Sequence, residues 1–323
     1  MRYFEARGPI AALQYKNVMM AHVCMIGFSI LISGSFAIGT VVAGLIDPVT
    51  LTFLRFLIAS SIMGVFLLLS GRMQRCHFKK SMRFILLGAC FSFYFVFMFE
   101  ALKTASPVVT SSIFTLMPFL AICLDFLLYG KRARYRMIFY LIIGAIGTLV
   151  VVFKGNLEDL FILKLDHGEL VFFSGTLIHA VYAVLVPNLR NEEPVGVVTF
   201  FVMAGATVVL LVLFPFKIFE TDWSKLPTEV YFSLGYLSIF ASIFSLILLT
   251  KASENLSSGH FTAYTLSTPF WVALLEYSFL DRKLESYVFW GGTFIFVSLL
   301  LLFLHSDRLS VAREPIDITK VEK

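Results

Sequence analysis

Charge is what this sequence lacks. Only 15% of its 323 residues are Asp, Glu, Lys or Arg, and 59% are hydrophobic, against about 25% charged and about 45 to 50% apolar in soluble domains. A soluble core cannot use that much apolar side chain, whereas a bilayer can. Enzymatic signatures are missing as well. There is no Gly-rich phosphate loop ending in Lys and Ser/Thr, no helix with paired metal-binding His and a Glu, and no Gly-x-Ser-x-Gly elbow. The acidic residues are scattered rather than clustered as metal-dependent lipid enzymes need. The four cysteines give no metal-ligand spacing and no disulfide framework: Cys24, Cys90 and Cys123 lie in apolar runs and Cys76 in a basic loop. They read as small buried hydrophobes. The net charge of +5 does not imply nucleic acid, because the basic residues form short clusters between apolar runs rather than a stripe with interleaved aromatics.

What is present is a series of long apolar runs. A transmembrane helix needs about 20 mostly apolar residues, and cutting at charges and turn residues leaves ten segments: 18–46, 49–70, 84–102, 107–129, 137–153, 169–187, 195–216, 230–250, 258–280 and 286–304. The fifth and tenth are short enough to be questioned as spans. The first run exceeds the apolar region of a signal peptide, about 7 to 15 residues, and no small-residue cleavage site follows a basic start, so it is expected to be a retained helix. Residues 1–17 and 305–323 read as polar tails, and 154–168 as a loop.

Cytoplasmic loops retain an excess of Lys and Arg. With ten spans and a cytoplasmic N-terminus, the inside segments hold 18 of the 26 basic residues and the outside loops 7, leaving only Arg55 within a span. The bias is carried by RMQRCHFKK and KRARYR in the first half and is weak in the second. Both termini are expected to face the cytoplasm and 154–168 the other side.

One stretch breaks the apolar pattern, and it recurs. ALKTASPVVTSSIFTLMPF, residues 101–119, carries hydroxyls, a lysine and two prolines; ASENLSSGHFTAYTLSTPF, residues 252–270, matches it at an offset of 151. Pro118 falls on Pro269, Asp125 on Glu276, and the turn GKR on DRK. At another offset Asp47-Pro48-Val49 matches Glu193-Pro194-Val195. Two five-helix halves follow, 18–153 and 169–304. Five is odd, so the second half enters the membrane inverted, the arrangement of secondary transporters with a site at the midplane between the halves.

The recurring small-or-hydroxyl helix with its Pro and following acidic or Gly turn, DPVTLTFLRF after the first helix, and LIHAVYAVLVPNLR in the sixth together resemble the EamA-type members of the drug/metabolite transporter superfamily. The resemblance covers about residues 19–304. It implies a ten-helix basket with a central cavity carrying amino acids, other small metabolites or drugs, usually outward. One departure is the turn after the fourth and ninth helices, where the family often has Glu and this chain has Lys131 and Arg282.

Individual residues carry two readings each. Arg55 in LTFLRFLIAS would cost about 2.5 to 3.5 kcal/mol at a helix centre; it either snorkels to the interface or lines the pathway and holds a substrate carboxylate. Glu100 and Lys103, three apart, fit surface pairing. His179 and Tyr182 share a face, as interhelical glue or as a substrate or proton contact. On the fourth helix Ser111, Thr115, Pro118, Ile122 and Asp125 form one stripe, and the repeat gives Thr262, Leu266, Pro269, Ala273 and Glu276 on the ninth. Each Pro lacks the N–H that would bond the carbonyl four residues earlier, freeing Phe114 and Thr265 carbonyls, so these stripes are expected to face a central cavity. Tyr264, Thr268 and Trp271 form a rival face. The alternative for the stripes is that their hydroxyls glue helices and that Asp125 and Glu276 pair with the basic turns beside them.

The fold expected is therefore all-α and integral to the membrane, with ten transmembrane helices as two inverted repeats. The expected activity is secondary transport, as export of small metabolites such as amino acids by alternating access across the cytoplasmic (inner) membrane. No cofactor and no metal is implied, a small-molecule substrate and the lipid bilayer are the partners, nucleic acid is not, and a homodimer is left open. The alternatives are an integral-membrane enzyme or a channel; inverted halves suit alternating access around one site better than a continuous pore.

Overall fold

Helix starts are written in the sequence as a capping side chain followed by proline. The computed structural model describes residues 9–74, 82–153, 155–156, 158, 166–190, 193–280 and 285–310. Its first helix is α1 (Pro9–Val42). Helix α2 (Pro48–Leu69) begins where the Asp47 carboxylate accepts hydrogen bonds from the Val49 and Thr50 amides, with Pro48 in the first turn, the position where a missing N–H costs nothing. Helix α3 is Met82–Ala101, and α4 (Pro107–Phe114) is capped in the same way by Ser106. Helix α5 (Met117–Tyr129) ends at Gly130 in the left-handed conformation, φ 65°, a backbone state glycine adopts without strain. Helices α6 (Tyr135–Val152) and α7 (His167–Leu189) follow, the latter opened by a capping box between Asp166 and Glu169.

The second half continues with α8 (Val195–Leu213), the short α9 (Pro215–Phe219) and α10 (Thr228–Ser238). A π-helical turn at Ile239–Phe244 joins α10 to α11 (Ser245–Ser253). Then α12 (Ser258–Thr262) runs through a 3-10 turn at Ala263–Ser267 into α13 (Thr268–Leu280), and α14 (Ser286–Ser310) closes the order. Among the described residues every element is helical and no strand occurs.

Eight helical stretches in the described residues are long and apolar enough to cross a membrane. The two remaining apolar segments fall short for different reasons. Segment 137–153 is one apolar helix below spanning length, and 258–280 is interrupted by its 3-10 turn. The 107–129 segment is interrupted as well, since Thr115 and Leu116 bond back only three residues, to the Ser112 and Ile113 carbonyls. Phe114 and Thr265, and likewise the restart residues Met117 and Thr268, lie 151 apart. The repeated proline therefore coincides with a repeated break. Cys76, Arg282, most of the 154–168 loop and the outer parts of both tails lie outside the described residues.

Packing pairs the halves. Helix α1 packs on α10, α11 and α13; α7 packs on α3, α4 and α5; α2 packs on α8, and α6 on α14. Small residues set the closest crossings. A Cβ on Gly147 of α6 would sit 2.5 Å from the Gly291 carbonyl of α14, and one on Gly291 would sit 2.5 Å from the Gly147 carbonyl. Close backbone approach of this kind drives association where lipid supplies no hydrophobic contrast between helices. Large side chains such as Leu68, Leu69, Phe232 and Phe296 remain exposed on the outside, as a lipid-facing surface requires.

Candidate substrate site

An arginine lies completely buried in the apolar interior. Arg55, on α2, has no exposed surface. Its Nε donates to Ser242 Oγ and its Nη2 to the Ala241 carbonyl, both at 2.5 Å. The acceptors come from the π-helical turn, whose wider winding sends the Ser245 amide back to the Phe240 carbonyl instead of that of Ala241. Such wide turns concentrate at functional sites. The guanidinium lies 3.8 Å above the Phe95 ring and 5.7 Å from that of Phe56, an attraction that strengthens when desolvated. Its Nη1 has no partner.

Beside it stands a group of buried polar rings without hydrogen-bond partners. His179 of α7 stacks on Tyr94 of α3 at 4.2 Å and on Tyr182 at 5.5 Å. Phe91 and Phe114 close around it at 5.8 and 5.5 Å. Both His179 ring nitrogens and the Tyr94 and Tyr182 hydroxyls are buried and unpartnered. Tyr94 touches Phe95 at 4.6 Å, which joins these rings to the Arg55 platform. Buried polar atoms are nearly always hydrogen-bonded, and leaving one unmet costs about 1 to 3 kcal/mol. Several of them lie together here, on elements drawn from α2, α3 and α7 beside α4 and the π-helical turn.

The structure thus brings Arg55, His179 and Tyr182 together. Thr115 points elsewhere: it bonds Thr148 of α6 at 2.9 Å and the Ser112 carbonyl at 2.6 Å. Ser111 bonds the Val108 carbonyl within its own helix, and Pro118 is buried at the start of α5. Asp125 lies near the end of α5, 3.9 Å from Lys131, in a cleft of about 190 Å3 that also presents Arg132, Arg134 and His260. In the ninth segment Thr262 is buried, Tyr264 bonds His22 of α1 at 2.8 Å, and the Thr268 carbonyl receives Ser33 of α1 at 3.3 Å. Pro269 and Glu276 are buried and Trp271 half-buried. Glu100 and Lys103 bond at 2.8 Å on the surface.

Tyr94 and Ser242 were not singled out from the sequence. Tyr94 shares the phenylalanine run FSFYFVFMF with one other hydroxyl, Ser92, and Ser242 belongs to the spaced serines of YLSIFASIFSL; either is a polar interruption of an apolar run.

Two ion pairs flank the α2–α8 pair. Asp47 meets Lys217 at 3.3 Å, and Glu193 meets Arg83, which also bonds the Leu189 carbonyl at 2.8 Å. Arg190 and Lys251 converge on Glu254 at 2.7 and 2.5 Å. Burial pushes the Glu254 carboxyl up, but hydrogen bonds and charge from Lys251 and Arg190 outweigh it and hold the group below the usual glutamate range.

The sequence model of the EamA-like transporter family matches residues 19–153 and 166–304. The chain belongs to the EamA-like transporter family. The matched stretches coincide with its two halves, so a two-repeat architecture fits. It is 26% identical over 226 residues to an uncharacterized transporter, YyaM, of Bacillus subtilis (strain 168), covering 69% of this chain and 73% of that one. It is 24% identical over 261 residues to an uncharacterized transporter of Archaeoglobus fulgidus, covering 80% and 89%. A solved crystal structure superposes with TM-score 0.67 at 18% identity, over 93% of this chain and 100% of that one, which shows the shared fold. Family and relatives alike indicate a membrane transporter rather than an enzyme.

Proposed function

We propose that the protein is a secondary transporter that exports small metabolites, such as amino acids, across the cytoplasmic membrane by alternating access. Its ten membrane segments form two inverted five-helix repeats with both termini in the cytoplasm. The observation that carries this reading is the buried cluster of Arg55, Tyr94, His179 and Tyr182, with a guanidinium nitrogen, two hydroxyls and an imidazole lacking partners inside helices long and apolar enough to span a bilayer. Intramembrane ionisable groups are expensive and mark substrate pathways. Two broken segments, related by the 151-residue offset, support rocking of one half against the other, because discontinuous helices flank such sites in inverted-repeat carriers. The ion pairs of Asp47 and Glu193 tie one half to the other and serve as latches on opposite membrane faces.

Purified protein in proteoliposomes should show saturable, gradient-dependent substrate movement and counterflow, and a thermal-shift screen against metabolites should find ligands by their stabilisation of the folded state. Non-saturable flux, or flux without counterflow, would contradict a carrier.

A further inference from the structure

The Arg55 site has a charge with no counter-charge. Among the described residues no carboxylate pairs with the guanidinium, whose hydrogen-bonded acceptors, Ser242 and the Ala241 carbonyl, are neutral. The acidic groups of α2, α3, α7 and α10 lie only at their ends, as with Asp47, Glu100, Glu169 and Glu229. An isolated buried charge is costly, and mutual attraction repays the cost only with good geometry and further hydrogen bonds. Here the cation has a rigid mount, an aromatic floor and one unused nitrogen, and neighbouring hydroxyl and imidazole groups are also unused.

We propose that this site binds a small monocarboxylate with an apolar or aromatic body, its carboxylate seated on the free Nη1 of Arg55. This rests on reading the same cluster as the transport site. One buried positive charge is neutralised by one negative charge. A phosphate monoester, at about −1.5 to −2 near neutral pH, would leave negative charge uncompensated. A zwitterionic amino acid would bring an ammonium for which the cluster offers no carboxylate, and one neutral carbonyl or hydroxyl is a poor replacement for water around a cation. The Tyr94 and Tyr182 hydroxyls and His179 complete the polar end, while Phe91, Phe95 and Phe114 form an apolar wall for the body. The preferred cargo is therefore an organic acid without a free amine, a narrower class than small metabolites and one that leaves amino acids out.

The test uses the purified full-length protein and four probes with one body: phenylacetate, phenylacetamide, phenylalanine and phenyl phosphate, read by calorimetry and by concentration-dependent thermal shift. Phenylacetate should bind, the isosteric amide should be weaker by about 30-fold or more because truncating a buried charge partner costs that much or more, and the other two should also be weaker. In Arg55→Gln the preference for carboxylate over amide should vanish. The comparison of probes on the unsubstituted protein stands even if the variant fails to fold. Equal binding of acid and amide, tighter binding of phenylalanine or phenyl phosphate, no carboxylate-dependent shift, or an undiminished preference in Arg55→Gln would each overturn the proposal. Carboxylate binding through Arg55 without movement across proteoliposomes would keep this site and remove the transport reading. Gradient-driven uptake of an amine that Arg55→Gln leaves unchanged would do the reverse.

Discussion

The hydroxyl of Thr265 lies 3.5 Å from the carbonyl of Phe114, and these two residues occupy the same place in the two repeated stretches. Phe114 ends α4, four residues before Pro118, so its carbonyl lacks the usual amide partner. The Thr265 hydroxyl has one proton and two carbonyls to serve, and its own Thr262 carbonyl is nearer, at 2.7 Å. Thr265→Val should therefore cost about 0.5 to 1.5 kcal/mol, with Thr265→Ser near neutral, read by chemical or thermal unfolding in detergent. Indifference to valine would mean that the Phe114 carbonyl is met another way.

The prolines at the breaks should matter more for movement than for binding. Pro118→Ala and Pro269→Ala restore an amide hydrogen and allow a continuous helix, which removes the local bending point. Turnover in proteoliposomes should fall several-fold while ligand-induced thermal shifts persist. Loss of binding with unchanged folding would show instead that the prolines shape the site itself.

The two latches should differ in strength. Arg83 and Glu193 have side chains 15% and 12% exposed, whereas Lys217 and Asp47 are 55% and 33% exposed. Exposed pairs contribute about 0 to 1 kcal/mol, while removing one member of a buried pair costs about 3 kcal/mol. Glu193→Gln should therefore destabilise strongly, Lys217→Gln by less than about 0.5 kcal/mol, and a double-mutant cycle should find coupling at Arg83–Glu193. Equal effects at both pairs would refute the ranking.

Acid should weaken the Glu254 junction. Its carboxyl is held below the ordinary value of 4.5 by Lys251 and Arg190 against the opposing effect of burial. A depressed folded-state value means stability that is present above the unfolded value and is lost as pH falls through the folded one. The apparent Tm should decline as pH drops below about 4.5, and Glu254→Gln should flatten that part of the profile. An unchanged profile in the variant would assign the acid sensitivity to other carboxylates.

Much of the fold was legible because lipid imposes a simple rule: spans must be helical and apolar. Asp47-Pro48 and Ser106-Pro107 stand at helix starts that apolar-run boundaries alone placed only coarsely, and the prolines matched at the 151-residue offset stand just after the breaks in the fourth and ninth segments. The candidate site was only partly legible. Arg55 and His179 stand out as polar residues in apolar runs, but which helix each meets depends on tertiary packing that no local period encodes. Tyr94 looked like one more aromatic in a phenylalanine run, and the π-helical turn that presents Ser242 and Ala241 to Arg55 has no sequence signature of the kind a proline gives.

Replacing Arg55 by methionine tests whether the guanidinium is there for folding. Its two acceptors would not be orphaned: Ser242 donates to the Leu237 carbonyl at 2.8 Å, and the Ala241 carbonyl also receives Ser245 at 2.7 Å. The substitution removes an unpaired buried charge and leaves an unbranched side chain able to fill the space beside Phe95. Replacing buried ionic groups by apolar residues of similar volume is often neutral or stabilising by about 1 to 4 kcal/mol. Arg55→Met should thus unfold at the same temperature as the unsubstituted protein or higher when no ligand is present, while losing transport. Natural proteins retain costly groups of this kind where function needs them. A loss of about 3 kcal/mol or more in the ligand-free protein would show that the hydrogen bonds and the cation–π contact of Arg55 hold α2 to the π-helical turn, and that its role is structural.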